Sequence, residues 1–157
     1  MKTKIFEYPI VVGPECIDQM RHTNNKVYLA WMEEAALAHS ASLGWPTERY
    51  FEYGRGFVAA AHWIEYLRPT FEGEKLTMYT WVQTMESRTS LRRFALVRDK
   101  KLCMIGATRW AFVDVASGRS CPITEEVADA FPVISPEDPV FETLGVNLQQ
   151  TRDIPIR

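Results

Sequence analysis

DQMRHTNNKVYLAWMEEAA, residues 18–36, sets an acid, an imidazole and two carboxamides directly before a long amphipathic segment. Val27, Trp31, Ala35 and Ala38 recur at helical spacing, and so do Tyr28, Met32, Ala36 and His39, which predicts one broad apolar stripe on a helix of about 18 residues. Thr23, Asn24 and Asn25 are residue types that cap a helix start, because their side-chain oxygens accept backbone N–H groups that have no partner inside the helix. The polar cluster therefore sits at the positive end of a helix whose apolar stripe must be buried. Unpaired N–H groups beside a carboxylate can stabilise an oxyanion while the carboxylate activates water.

Working outward, residues 3–12 read as a first strand stopped by Gly13-Pro14, and the helix ends at Gly44 and Pro46. Residues 45–56, rich in aromatics and glycine, read as a loop holding one helical turn. Strands follow at Phe57–Leu67, Lys75–Met85, Ser90–Asp99 and Leu102–Val115, separated by Arg68-Pro69, by Glu72-Gly73 and by turn residues at Asp99–Lys101. Thr124 can cap a short helix over 125–130. This order predicts an α+β domain in which a curved antiparallel sheet of about five strands wraps one central helix, buried all round. Residues 1–131 form that domain. The proline-containing tail, residues 132–157, is expected to pack on it, either wrapping the body or adding an edge strand.

With 157 residues the chain fits one domain, and 46% hydrophobic with 24% charged residues is ordinary globular composition. A net charge of −2 argues against general nucleic-acid binding. No apolar run reaches the ~18 residues that would cross a membrane. Cys16, Cys103 and Cys121 are widely spaced with no CxxC pair, so they give no zinc signature and fit free thiols in the cytoplasm.

The run D-x-x-x-H-x-N-N-x-x-Y-L-x-W-x-E-E-A resembles the hotdog-fold thioesterases of the 4-hydroxybenzoyl-CoA thioesterase type. Asp18, His22, Asn24, Asn25, Tyr28 and Glu33 carry the resemblance, joined downstream by Ile64–Pro69, Gly73-Glu74 and Phe112-Val113-Asp114. The plant-type acyl-carrier-protein thioesterases look similar around the helix start. Three departures stand out. Arg21 occupies the place of a usual glycine, Met20 that of the asparagine used by the plant-type enzymes, and Cys16 that of the first acid of a D-x-D pair. The resemblance implies a single hotdog domain and hydrolysis of an acyl-CoA, with no metal or other cofactor. It also implies a homodimer or homotetramer, in which Asp18 of one subunit lies near strands of the other. An acyl-carrier-protein substrate and a non-catalytic module binding acyl thioesters are the alternatives.

By the same resemblance Asp18 falls on the catalytic acid, as general base or nucleophile, although a loop aspartate capping a turn would read alike. Asn25 falls where a main-chain N–H meets the thioester oxygen. His22 could orient carbonyl or water, or pair with Asp18. Tyr28, His62 and Arg88 are candidate substrate-binding residues: Tyr28 as pocket wall or core, His62 as a mid-strand histidine able to approach a pocket, Arg88 near the nucleotide end. His39 reads as a packing histidine, and Glu33 as a tie from helix to neighbour. Alternation sends Arg92 and Arg93 to opposite faces, and most of the basic stretch 87–101 reads as a solvated strand edge.

Overall fold

One antiparallel sheet of five strands organises the computed structural model, which describes residues 5–156. The strands are β1 (Phe6–Val11), β2 (Arg55–Tyr66), β3 (Lys75–Met85), β4 (Thr89–Arg98) and β5 (Lys101–Asp114). In space they run β1-β3-β4-β5-β2. The middle three follow one another as hairpins. Arg98 pairs with Lys101 across a two-residue turn, Asp99 and Lys100 taking positive φ of 49° and 63°. A turn of that kind matches the twist of the flanking strands. The expected bounds of β3 coincide with the observed ones, and β2, β4 and β5 begin one or two residues earlier than expected. Residues 3 and 4 of the expected first strand lie outside the described residues.

The long helix α1 (Asn25–Ser42) lies on one face of this sheet and buries Tyr28, Trp31, Met32, Ala35, Ala36, His39 and Ser40. Tyr28, Trp31, Met32, Ala35 and Ala36 meet Ile10, Met78, Phe94, Leu96 and Met104 of the strands. Gly106 lets the helix approach closely: a Cβ there would stand 2.9 Å from Met32 Cε and 3.2 Å from the Trp63 carbonyl oxygen. The helix is not buried all round, however. Glu33 and Glu34 are exposed and Leu37 is 53% exposed, because within one chain the sheet covers only one side of α1. The expected tie from Glu33 is made instead by Glu34, which accepts a hydrogen bond from the Tyr8 hydroxyl at 3.3 Å.

Residues 45–56 hold more helix than expected. A seven-residue helix, α2 (Thr47–Tyr53), ends on Gly54 at φ 80°. It forms because Trp45, 2% exposed, is clasped by Tyr50 and Tyr53, each ring centroid 5.1 Å away. A third short helix, α3 (Glu125–Ala130), lies where the sequence predicts it.

The C-terminal segment crosses the opposite face of the sheet in two 3₁₀ turns, Pro139–Thr143 and Leu148–Asp153. Ile134, Phe141, Leu148 and Ile154 pack there against Trp81, Ala95, Val97 and Ile105. Full burial of such side chains contributes about 1.5–3 kcal/mol each. The sheet is thus covered by α1 on one face and by the tail on the other. No helix among the described residues is long and apolar enough to cross a membrane.

Candidate functional site

Residues 16–24 form a narrow hairpin. Ile17 bridges Thr23, the Asp18 N–H donates to the His22 carbonyl at 3.0 Å, and the Asn24 N–H donates to the Cys16 carbonyl at 2.8 Å. The Arg21 N–H closes the tip on the Asp18 carbonyl at 3.0 Å. That closure puts Arg21 in the left-handed region, φ 67°, where a Cβ is disfavoured. The glycine usual at this position of the resembling family would adopt it without strain. Asp18 Oδ1 accepts the Met20 N–H at 2.9 Å, so the carboxylate does hold a turn, while its side chain remains 28% exposed. His22 Nδ1 lies 4.0 Å from Asp18 Oδ1, beyond hydrogen-bond reach, and its ring sits edge-on to Phe71.

The hairpin delivers the chain directly into α1. Asn24 is the N-cap, its side chain accepting the Lys26 N–H at 3.0 Å and its carbonyl the Val27 N–H at 2.9 Å. The N–H of Asn25 has no acceptor among the described residues, and Asn25 itself is exposed. Its carbonyl accepts the Tyr66 hydroxyl at 3.2 Å, which ties the helix start to the end of β2. Asp18 and Asn24 line one shallow depression with Ile17, Gln19 and Met20. An unpaired N–H at the positive end of an 18-residue helix, close in the chain to a half-exposed carboxylate, is an arrangement that can hold an oxyanion and activate water.

What fixes the hairpin is a buried polar chain that the sequence does not announce. The Tyr28 hydroxyl lies 2.9 Å from Thr70 Oγ1, Thr70 donates to Thr23 Oγ1 at 2.7 Å, and Thr23 donates back to the Thr70 carbonyl at 3.1 Å. The Thr23 N–H also donates to that carbonyl, at 2.9 Å. Tyr28 is 3% exposed, and burial pushes its phenol pKa up. A pair 47 residues apart in sequence leaves no local signal. Only the hydroxyl types themselves, Thr23 before a helix and Thr70 after Pro69, could have been noted.

The remaining candidates lie elsewhere. His62 is half-buried midway along β2, its Nδ1 2.8 Å from Thr108 Oγ1. Arg88 is exposed in the turn between β3 and β4, donating to Ser120 Oγ at 3.2 Å. The 11 residues of β3 separate that turn from the Thr70 end by roughly 36 Å, so one chain does not bring Arg88 to Asp18. The basic stretch does not lie on a sheet edge, although Arg88, Lys100 and Lys101 are exposed. β4 lies in the centre of the sheet, and Arg92 and Arg93 are 4% and 5% exposed. They do face opposite ways: Arg93 donates to the Thr151 carbonyl of the tail at 2.9 Å, and Arg92 to Nδ1 of His39 on α1 at 2.8 Å. Arg98 pairs with Glu74 at 2.9 Å.

A family model for the thioesterase-like superfamily matches residues 12–131. The chain belongs to that superfamily. Thioester hydrolysis is therefore its class of chemistry. Among solved structures, a hypothetical protein from Thermus thermophilus is 25% identical with TM-score 0.76, covering 80% of this chain and 96% of its own. A 1,4-dihydroxy-2-naphthoyl-CoA thioesterase from Synechocystis is 13% identical with TM-score 0.74, over 80% and 94% of the two chains. A Staphylococcus aureus protein solved in complex with CoA is 15% identical with TM-score 0.77, over 86% and 90%. The last two establish likeness of fold. No curated protein sequence matches the chain. The hotdog arrangement of central helix and curved sheet is thus both observed and shared.

This thioesterase-like domain has a second feature, at the far end of α1. A cavity of about 370 Å³ opens between α1, α2 and the sheet, walled by Leu37, Tyr50, Phe57, Val58, Met85 and Trp110. Arg92 also lines it. Both hydrogen bonds of the Arg92 side chain leave from Nη1, to His39 Nδ1 and, at 3.1 Å, to Thr80 Oγ1. Burial pushes the guanidinium pKa down to about 10. Burial, with the Arg92 charge adding to it, lowers that of His39 to about 3, so the imidazole is neutral and accepts. His39 does read as a packing histidine, between Phe6 at 5.0 Å and Phe131 at 6.4 Å. Its buried cationic partner was missed because alternation assigns a face without saying what covers it.

Proposed function

We propose that this protein hydrolyses an acyl-CoA, adding water across the thioester C–S bond to release the free acid and the CoA thiol. The observation that carries the reading is the pairing, at one helix start, of the Asp18 carboxylate with the unaccepted Asn25 N–H. Asp18 acts as general base toward water or as the nucleophile, and the Asn25 N–H receives the oxygen that becomes negative in the tetrahedral intermediate. A well-placed donor of this kind contributes about 3–4 kcal/mol to the transition state. His22, on the other arm of the hairpin, orients the carbonyl or the water.

We further propose that the working unit is a dimer joined at β2. Among the described residues this 12-residue strand pairs only with β5, and Val58, Ala59 and Ala60 along it are exposed. A long uncovered edge is a template for pairing. Two copies of β2 side by side and antiparallel would set the Tyr66 end of one, bonded to Asn25, against the Arg55 end of the other. The Arg55 end adjoins the cavity, through Gly56, Phe57 and Val58, and Arg88, whose carbonyl accepts the Phe112 N–H in register with Phe57. Pairing thus reunites candidates that one chain keeps apart, with Arg88 and His62 toward the CoA and Tyr28 behind the wall. The unpaired thiols of Cys16, Cys103 and Cys121 suit the cytoplasm.

Thiol release from short, long and aromatic acyl-CoAs, by wild type and Asp18→Asn in parallel, tests the reading. Turnover in wild type and its loss in the variant would support it. Equal turnover by both proteins would remove Asp18 from the chemistry. No turnover by either, with cleavage of an acyl-carrier-protein thioester, would move the substrate to the carrier protein. Thioester binding with no cleavage of either substrate would make this a binding module.

A further inference from the structure

The cavity beside α2 is mostly apolar, the hydroxyls of Ser40, Tyr50 and Ser90 on its wall being hydrogen-bonded within the fold, and it holds one feature that an apolar ligand does not explain. Arg92, 4% exposed, brings its guanidinium to the cavity wall, and no carboxylate among the described residues pairs with it. A buried charge without a counter-charge is destabilising, and natural chains rarely keep one that has no use. His39, held neutral, offers hydrogen bonding but no negative charge. The carboxylate at the cavity mouth, Asp114, is occupied with Ser117, whose N–H and hydroxyl it accepts at 2.9 and 3.0 Å. Arginine presents five donors in a planar fork, yet Nε and Nη2 make no hydrogen bond to the described residues. A second donor shares the imbalance. The indole Nε1 of Trp110, another wall residue, is buried with no acceptor among the described residues. Register places Ser90 opposite Trp110 and Arg92 opposite Thr108, so the arginine and the tryptophan stand on the same face of neighbouring strands.

A mostly apolar chamber with a guanidinium whose Nε and Nη2 donate to none of the described residues, beside an indole N–H that has no acceptor among them, is complementary to an apolar body ending in an anion. We propose that the cavity receives the distal part of an acyl group that ends in a carboxylate, with the Arg92 guanidinium as its counter-charge. This rests on the thioesterase reading above and specifies its substrate class as ω-carboxyacyl thioesters. At about 30 Å³ for each water-sized group, 370 Å³ has room for about twelve heavy atoms, a chain of medium length. Along α1, Asn25 and Ala36 are 11 residues apart, about 16 Å, so a chain held here reaches from the partner's helix start more readily than from its own.

Binding separates this assignment from the hydrolase reading. Calorimetry on the Asp18→Asn protein at pH 7 compares decanoyl-CoA with its ω-carboxylated counterpart, with hydrolysis suppressed by the substitution. The carboxylated thioester should bind roughly tenfold to a hundredfold more tightly, the range of a hydrogen-bonded charge. Adding Arg92→Met should bring the ratio to about one, and Arg92→Lys, which keeps the cation, should preserve part of it. A ratio near one before Arg92 is changed overturns the proposal, as does a preference that survives Arg92→Met in protein that still melts cooperatively. Free decanoate and decanol form the second arm. If decanoate gains from Arg92 while the two thioesters bind alike, the cavity takes a free acid and the acyl assignment is overturned. Wild-type cleavage of the two thioesters is measured separately, so absence of turnover counts against the hydrolase reading and leaves the binding ratio to decide this one.

Discussion

At the start of α1 the polar groups stand partly in water and are organised by main chain: Asp18 holds the Met20 N–H, Asn24 caps Lys26, and the Asn25 N–H is left open. Toward the end of the same helix the polar groups are buried and organised by one another, Arg92 on His39 and Thr80. The first arrangement lets a carboxylate meet water and a helix dipole meet negative charge, as a hydrolytic step requires. The second excludes water and strengthens any charge pair formed there, as discrimination between ligands requires. One 18-residue helix thus carries two polar clusters of opposite character, one at its start and one toward its end.

The sharpest way to break this contrast is Asp18→Asn. The amide oxygen can still accept the Met20 N–H, so the hairpin should stand and melting should shift little. Turnover should nevertheless fall by at least ~10², the usual size of a general acid–base contribution. Near-wild-type rates of thiol release would show that the carboxylate serves only its turn.

Acid probes the buried end. The His39 pKa falls from an ordinary 6.5 to about 3 in the fold, so between those values the unfolded chain takes up a proton that the folded imidazole refuses. The corresponding stability is complete above pH 6.5 and is lost as pH drops toward 3, at up to about 1.4 kcal/mol per pH unit. Urea midpoints at pH 7, 5.5 and 4.5 should show this slope, and His39→Gln, which keeps an acceptor for Arg92 and cannot titrate, should flatten it. An unchanged slope in the variant would assign the acid sensitivity to carboxylates instead.

Thr70→Val tests what joins the hairpin to the sheet. It removes the acceptor of the Tyr28 hydroxyl and the donor to Thr23 inside a buried network, at a cost of about 1–3 kcal/mol in urea unfolding. If the network positions Asp18, kcat in the folded variant should fall as well, with KM little altered. A loss of stability alone would make the network purely structural. The smallest effect expected is from Arg21→Gly, which relieves a positive φ at the hairpin tip. Stabilisation by about 0.5–1 kcal/mol should appear in the melting curve, less whatever the more flexible glycine adds to the unfolded chain.

Legibility followed the range of the interactions. The bounds of β3 and α3 and the length of α1 were readable because alternation, helical spacing and caps are properties of neighbouring residues. At 45–56 local reading stopped at one turn, since α2 depends on Trp45 closing against Tyr50 and Tyr53. The arginines of β4 read locally as a charged edge, because the flanking of that strand by β3 and β5 is a property of the whole sheet. Around the site, Asp18, Asn24 and Asn25 could be picked out from a contiguous motif. The Thr23–Thr70–Tyr28 chain and the Arg92–His39 contact join residues 42 to 53 positions apart and could not.

The sequence by itself determined which segments become strands and helix, where the helix is capped, and that an acid precedes its positive end, because each depends on side chains a few residues apart. Strand order, the face each arginine meets, the side of α1 left uncovered and the cavity around Arg92 were decided only by the tertiary structure. Each of these depends on which distant surface removes a given side chain from water, and that is settled when the whole sheet closes on its helix and its tail.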